Sequence, residues 1–295
     1  MNDSVVSSIS DAFRTDLACE SQRPCRSCEE VMYRAGSVPV TVTRRCESDG
    51  GRTVTLACGY ITAYGEGALS PLARLVGEEL RSMAEEMLGH RLNPDCRILV
   101  AGLGNARMTP DAIGPETVSR LTVTRHLRAY DEALFGALGC CELSAISPGV
   151  MGQTGMESGE LVKFAATLTR ADLVVAVDAL AARSCERLAS TVQISDGGIS
   201  PGAGIGNHRM AVNRETVGCP VMGVGVPTVV DSSTLVRDAL AQAGVDPAAL
   251  SPELEAVLER GRSFIVSPRD SDEAVELTCR MLAEALDLAF GVGEE

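Results

Sequence analysis

Five consecutive apolar residues, LVVAV at 173–177, run into a single acid, Asp178. A short Val-rich run bounded by polar residues suits a strand buried on both faces, which requires a sheet with material packed on either side. Residues 178–190, DALAARSCERLAS, are rich in helix formers, with Leu180 and Leu188 among them, so the expected order is strand, acid, helix. An acid at the carboxyl end of a buried strand stands where open α/β sheets place their ligands. As an anion it is also costly to bury without a partner, so Asp178 marks a candidate site.

The same order recurs. Residues 96–115, CRILVAGLGNARMTPDAIGP, hold a strand at 98–101, a glycine turn at 102–105, then Asp111 and a helix expected from Pro115 through RLTVTRHLRAYDEAL. A third unit has a strand at 144–146, a glycine-rich loop and a helix from about Ser158. A fourth has a strand at 221–226, ended by Pro227-Thr228, and a helix at 232–243; a last helix is expected at 271–290. Strands alternating with helices predict an α/β fold: a single mostly parallel sheet with helices on both faces. Near the N-terminus, residues 37–64 alternate around an Asp-Gly-Gly turn and predict an antiparallel β-hairpin added to that sheet. Helical spacing covers 69–90, with Ser70-Pro71 as start and Gly89 as stop. The octets AGLGNARM (101–108) and AGIGNHRM (203–210) read either as two matching glycine turns or as two loops facing one cleft.

Composition narrows the function. At 295 residues, 45% hydrophobic and 22% charged, the chain suits one α/β domain with appendages. With 3% aromatic residues and a net charge of −14, it is suited neither to stacking on bases nor to DNA phosphates, so no direct nucleic-acid partner is expected. No apolar run approaches the ~18–20 residues that cross a bilayer, and the polar, acidic N-terminus lacks a signal-peptide core. A cytoplasmic location is expected, and the eleven cysteines read as reduced thiols. Cys25 and Cys28 form the one CxxC, without the second pair a zinc site needs.

Gly102 and Gly104 follow a strand as in a dinucleotide fingerprint, but Arg107 stands where the third glycine belongs. There is no GxxxxGK[ST], Lys163 being the one lysine, no GxSxG and no HExxH, so no cofactor or metal is expected. His90 and His126 read as solvated helical residues, whereas His208, in a glycine loop, is a candidate base or ligand. If the strands before Asp111 and Asp178 are neighbours, the two acids meet at one sheet edge and share a proton. One could then deprotonate water while the other protonates the product side. The plain alternative is that each caps the helix after it.

Several blocks together carry a family resemblance: RTDLA (14–18), GLGNARMTPDAIGP (102–115), LTVTRHL (121–127), SPGVMGQTGMES (147–158), VAVDALAARSCERLASTVQISDGGISPGAGIGN (175–207) and GVPTVVD (225–231). They resemble the germination protease family, spore endopeptidases that degrade small acid-soluble spore proteins. The resemblance implies an atypical aspartic peptidase with Asp111 and Asp178 as its catalytic pair. It further implies a fold similar to the hydrogenase-maturation peptidases, a homotetramer, a spore-core location and synthesis as a zymogen that cuts itself. The matching bond is Asp16-Leu17, which would divide the chain into a pro-segment, 1–16, and one α/β peptidase domain, 17–295. Thr15-Asp16-Leu17-Ala18 is similar to the Thr-Glu-apolar-Ala sites of the spore-protein substrates. Asn105, Thr109, Arg183 and His208 are candidates for supporting roles. The segment 231–264 is shorter than the family pattern, and the cysteine-rich 19–58 has no counterpart in it. Two other readings stand beside this one: a metal-dependent hydrolase using the same aspartates, and a non-catalytic peptide-binding relative.

Overall fold

The computed structural model describes residues 15–21, 24–206, 209–246, 250–261 and 264–291. Among them a nine-stranded sheet is built from β1 (Cys25–Ala35), β2 (Val38–Glu47), β3 (Arg52–Ala57), β4 (Arg97–Gly102), β5 (Glu142–Ile146), β6 (Leu173–Ala181), β7 (Thr191–Ser195), β8 (Val221–Asp231) and β9 (Ile265–Val266). The order across it is β1-β2-β3-β7-β8-β6-β4-β5, with β9 beside β8. β5, β4, β6 and β8 run parallel and form the core. β7, β3, β2 and β1 continue the sheet antiparallel.

Alternation along β6 explains why both faces are covered. Leu173, Val175 and Val177 join one buried layer with Val76 and Leu80 of the Leu69–Leu88 helix and Leu282 and Leu286 of the Ser271–Phe290 helix. Val174 and Ala176 point the other way, against Val162 and Ala166 of the Ser158–Thr169 helix. Each such side chain stabilises the fold by roughly 1.5–3 kcal/mol on burial. The Leu69–Leu88 helix stops at Gly89, which takes φ 74 and turns its amide back onto the Glu85 and Glu86 carbonyls. Among the described residues no helix is long and apolar enough to cross a membrane.

The expected sheet, its two helical layers and the 37–64 hairpin are all present. Three local expectations are corrected, and one strand is added to them. No helix follows Asp178: β6 runs through it to Ala181, because residues 179–181 pair with β8 as far as Val229, and sheet pairing overrides helix propensity. The single helix from Pro115 is three short ones, Ile113–Val118, Arg125–Tyr130 and Glu132–Leu138. The chain between the first two is drawn onto β5, where buried Thr124 donates to the Cys141 carbonyl (2.7 Å) and accepts from the Leu143 amide (2.8 Å). The polar stretch around Cys25 and Cys28 is the edge strand β1, which is almost wholly exposed and so has no apolar face to betray it. Finally, β8 continues through Pro227-Thr228, and the short 231–264 segment contains the Pro252–Gly261 helix.

Candidate active site

Asp178 is the sixth residue of β6, paired with Gly225 of β8 and 3% exposed. No α-helix follows it to cap, and its carboxylate accepts from the Ala179 amide at 2.9 Å. Burial, then the charge of Asp111, then that of Asp16, push its pKa well above the ordinary aspartate range, and the Ala179 amide opposes them.

Asp111 ends the tight turn Thr109–Asp111 that follows β4. It does not cap the Ile113–Val118 helix, whose N-cap is Ala112. Its carboxylate instead accepts from the Asn105 amide at 2.9 Å, and burial pushes its pKa up against that bond. Close backbone approach sets its position. A Cβ on Gly102 would lie 2.2 Å from the Gly114 carbonyl oxygen, and one on Gly114 would lie 2.5 Å from that of Val177. Two glycines therefore let this turn and helix press against β6. Thr228 of β8 completes the attachment by donating to the Pro110 carbonyl at 2.6 Å.

Asp111 and Asp178 face one cavity of about 250 Å³, walled by Met108, Met151 and Met210, with Asp16, Glu157 and Arg209 also at its surface. The two similar octets meet here: Gly104 and Met108 come from the first, and Arg209 and Met210 from the second. They are two loops facing one cleft, the second of the two readings of that echo.

The N-terminal segment reaches the same place. Asp16 donates its amide to the Ala181 carbonyl (2.9 Å), and its carboxylate accepts from the Ala181 amide (2.8 Å). Leu17 is 1% exposed, in an apolar socket with Leu180, Ala182, Leu188 and Val230. Gln193 of β7 spans the segment, donating to the Asp16 carbonyl (3.1 Å) and accepting from the Ala18 amide (2.6 Å). Glu20 accepts from the Arg183 and Ser184 amides at 2.7 and 2.9 Å, fixing the loop after β6 to the same segment.

The other candidates fall differently. The Asn105 side chain accepts from the Arg107 amide (3.0 Å) and Gln153 (2.8 Å), so it shapes the loop while its backbone holds Asp111. Thr109 opens the turn, and neither it nor Arg183 lines the cavity; the Arg183 guanidinium reaches Asp238 at 3.3 Å. His208 lies outside the described residues. Among the described residues no cluster of three or more His, Cys, Asp or Glu side chains is arranged to hold a metal ion. Gln193 escaped notice in the sequence because β7 itself did. With the strand recognised, a polar residue between buried Val192 and Ile194 is the available signal.

The site is thus an acidic cavity where β6 and β8 meet the surrounding loops, with a stretch of the same chain laid along it. A family model described as germination protease matches residues 26–243, and the chain belongs to that family; it is an endopeptidase. It is similar to the germination protease of Clostridium perfringens (strain 13 / Type A), at 36% identity over 94% of this chain and 94% of that protein. The germination protease of Halalkalibacterium halodurans is 50% identical over 66% of this chain and 52% of its own length. Among solved structures, a [NiFe] hydrogenase maturation protease, HycI from Thermococcus kodakarensis KOD1, aligns with 70% of this chain and 99% of its own at 16% identity and a TM-score of 0.35, a distant likeness on which nothing further rests.

Proposed function

We propose that this endopeptidase cuts small acid-soluble spore proteins after an acidic and before an apolar residue, by aspartic catalysis, and that it first processes itself at Asp16-Leu17. The observation that carries the reading is the pair of carboxyls, Asp111 and Asp178, both pushed up in pKa and both facing one cavity that Asp16 also lines. Two neighbouring carboxyls that cannot both ionise hold one proton between them. The deeper burial of Asp178 makes it the seat of that proton, leaving Asp111 as the base. In this mechanism Asp111 takes a proton from water as the water oxygen adds to the peptide carbonyl carbon. Asp178 gives its proton to the carbonyl oxygen. Collapse of the tetrahedral intermediate breaks the C–N bond: Asp111 passes the proton it took from water to the leaving amine, and one diol hydroxyl returns a proton to Asp178.

The same reading makes residues 1–16 a pro-segment and 17–295 the mature domain, working as a homotetramer in the spore core. Asp111→Asn and Asp178→Asn, made separately, test the pair: retained cleavage of a Thr-Glu-Leu-Ala peptide by either variant removes that residue from it. Mass spectrometry should find a mature chain beginning at Leu17, and light scattering should give four times the monomer mass. Full activity with residues 1–16 still attached contradicts the zymogen.

A further inference from the structure

Asp16 is held in an unusual way. Its carboxylate accepts from the Ala181 amide at 2.8 Å and lies against Gly204, and burial pushes its pKa up in spite of these backbone contacts. Among the described residues no cation pairs with it. Gly204 is indispensable to the fit, since a Cβ there would fall 2.3 Å from the Asp16 carboxylate oxygen. The arrangement is electrostatically adverse, because a third acid is brought up to a cavity that already contains Asp111 and Asp178, and its charge bears on Asp178. A chain that merely needed its N-terminus fastened would be better served by a neutral residue. The surroundings are also those of a groove. A second cavity of about 340 Å³, reaching Gln193, Ser195 and Ser200, opens along the same segment, with Asp16 and Leu180 at the surface of both.

We infer that the Ala181 amide, the space left at Gly204, the Gln193 side chain and the socket of Leu180, Ala182, Leu188 and Val230 form the substrate-reading site. It accepts, in turn, an acidic side chain, the peptide backbone and a leucine-sized apolar side chain, the places that Asp16–Leu17 fills within the chain. This rests on the proposed cut between an acidic and an apolar residue, and adds which groups choose them. Backbone amides suit the task, since they bind a carboxylate without bringing a counter-ion that would neutralise the adjoining pair. Gln193 contacts only the backbone of the segment, so it contributes to affinity for every peptide and to discrimination among none. Gly204 contributes discrimination, because its missing side chain is the room the carboxylate occupies.

The test is steady-state cleavage of peptides Thr-X-Leu-Ala, with X as Asp, Glu, Asn, Gln or Ala, by the purified protein. For the wild type, acids at X should be cut at least tenfold better, by kcat/KM, than their amides. Gly204→Ala should reduce the ratio of acid to Ala peptides tenfold or more. Gln193→Ala should lower kcat/KM for all five peptides about tenfold and leave their ratios unchanged. Equal loss across the series in Gly204→Ala, or altered ratios in Gln193→Ala, overturns the assignment, whereas a wild type that cuts no peptide overturns the proposed function itself. Should Gly204→Ala fail to fold, a peptide carrying photoleucine in place of Leu decides on the wild type. Adducts at Leu180, Ala182, Leu188 or Val230 support the site, and adducts confined elsewhere overturn it.

Discussion

A Cβ on Gly104 would stand 2.1 Å from the carbonyl oxygen of Asp111, and the loop folds over that acid because residue 104 has none. Gly104 also holds φ at +109°, where other residues are strained by about 1–3 kcal/mol. Gly104→Ala is therefore expected to lower Tm, by about 2–4 °C per kcal/mol in a domain of this order. Displacing Asp111 by an ångström should reduce kcat about a hundredfold. Thermal melts and peptide kinetics on the same preparation check both.

Asp178→Asn should abolish cleavage and stabilise the fold near neutral pH. The raised Asp178 carboxyl keeps its proton in the folded chain over a range where the unfolded chain has lost it. Its contribution is thus fully present below the unfolded pKa and is lost as pH rises through the folded one, each tenfold change in acidity being equivalent to about 1.4 kcal/mol. Asparagine has no proton to lose. The Tm difference between variant and wild type should be small in acid and widen in the variant's favour toward neutrality. A variant melting below wild type at neutral pH would reverse the sign.

Asp111→Asn should reduce kcat by about a thousandfold, the scale of losing a positioned base. It should also lower the pH at which the Asp178 carboxyl titrates, since the Asp111 charge is the second cause of its elevation. Carboxyl ¹³C chemical shifts followed through a pH titration separate this effect from a simple loss of folding.

Thiol reagents should sort the cysteines. Cys25, Cys28 and Cys185 are exposed, while Cys58, Cys96, Cys140, Cys141 and Cys279 are buried. Burial raises Cys141 and Cys279 to about 12 and Cys58 to about 11, so their thiolates are scarce. At neutral pH the native protein should show two fast thiols, Cys25 and Cys28, with Cys185 slower because burial and the Asp238 charge raise it, and the buried five reacting only on unfolding, as mass spectrometry of the alkylated chain can assign.

Exhaustive chelation should leave peptide cleavage within twofold of the untreated protein, because the proposed chemistry moves protons between water, Asp111 and Asp178. Activity lost to a chelator and restored by a divalent ion would transfer those carboxyls to a metal-held mechanism.

How far the sequence could be read depended on where each residue's partners lie. The runs before Asp111 and Asp178 were legible as strands because every residue in them is buried. Asp178 stood out there as costly to bury and Asp111 by standing in the same order after its strand, although the local picture around Asp178 was wrong. Residues 179–182 favour helix alone, but across the sheet they have β8 to pair with, and no local pattern announces a strand more than forty positions away. Gln193 meets Asp16 from 177 positions along the chain, and Gly204 meets it across a loop, so neither had a neighbour in sequence to disclose its use. β1 was hidden for the opposite reason: with no buried face, its residues follow no hydrophobic period.

The continuation of β6 past Asp178 sets the two acids on different supports. Asp178 is paired with Gly225 of β8, one residue past the end of the ladder with β4, and moves only if the sheet does; Asp111 rides on a short turn whose clearances are set by glycines. On the Asp111 side the glycines at 102, 104 and 114 leave no space for a side chain, so retuning this enzyme there means shifting the backbone itself.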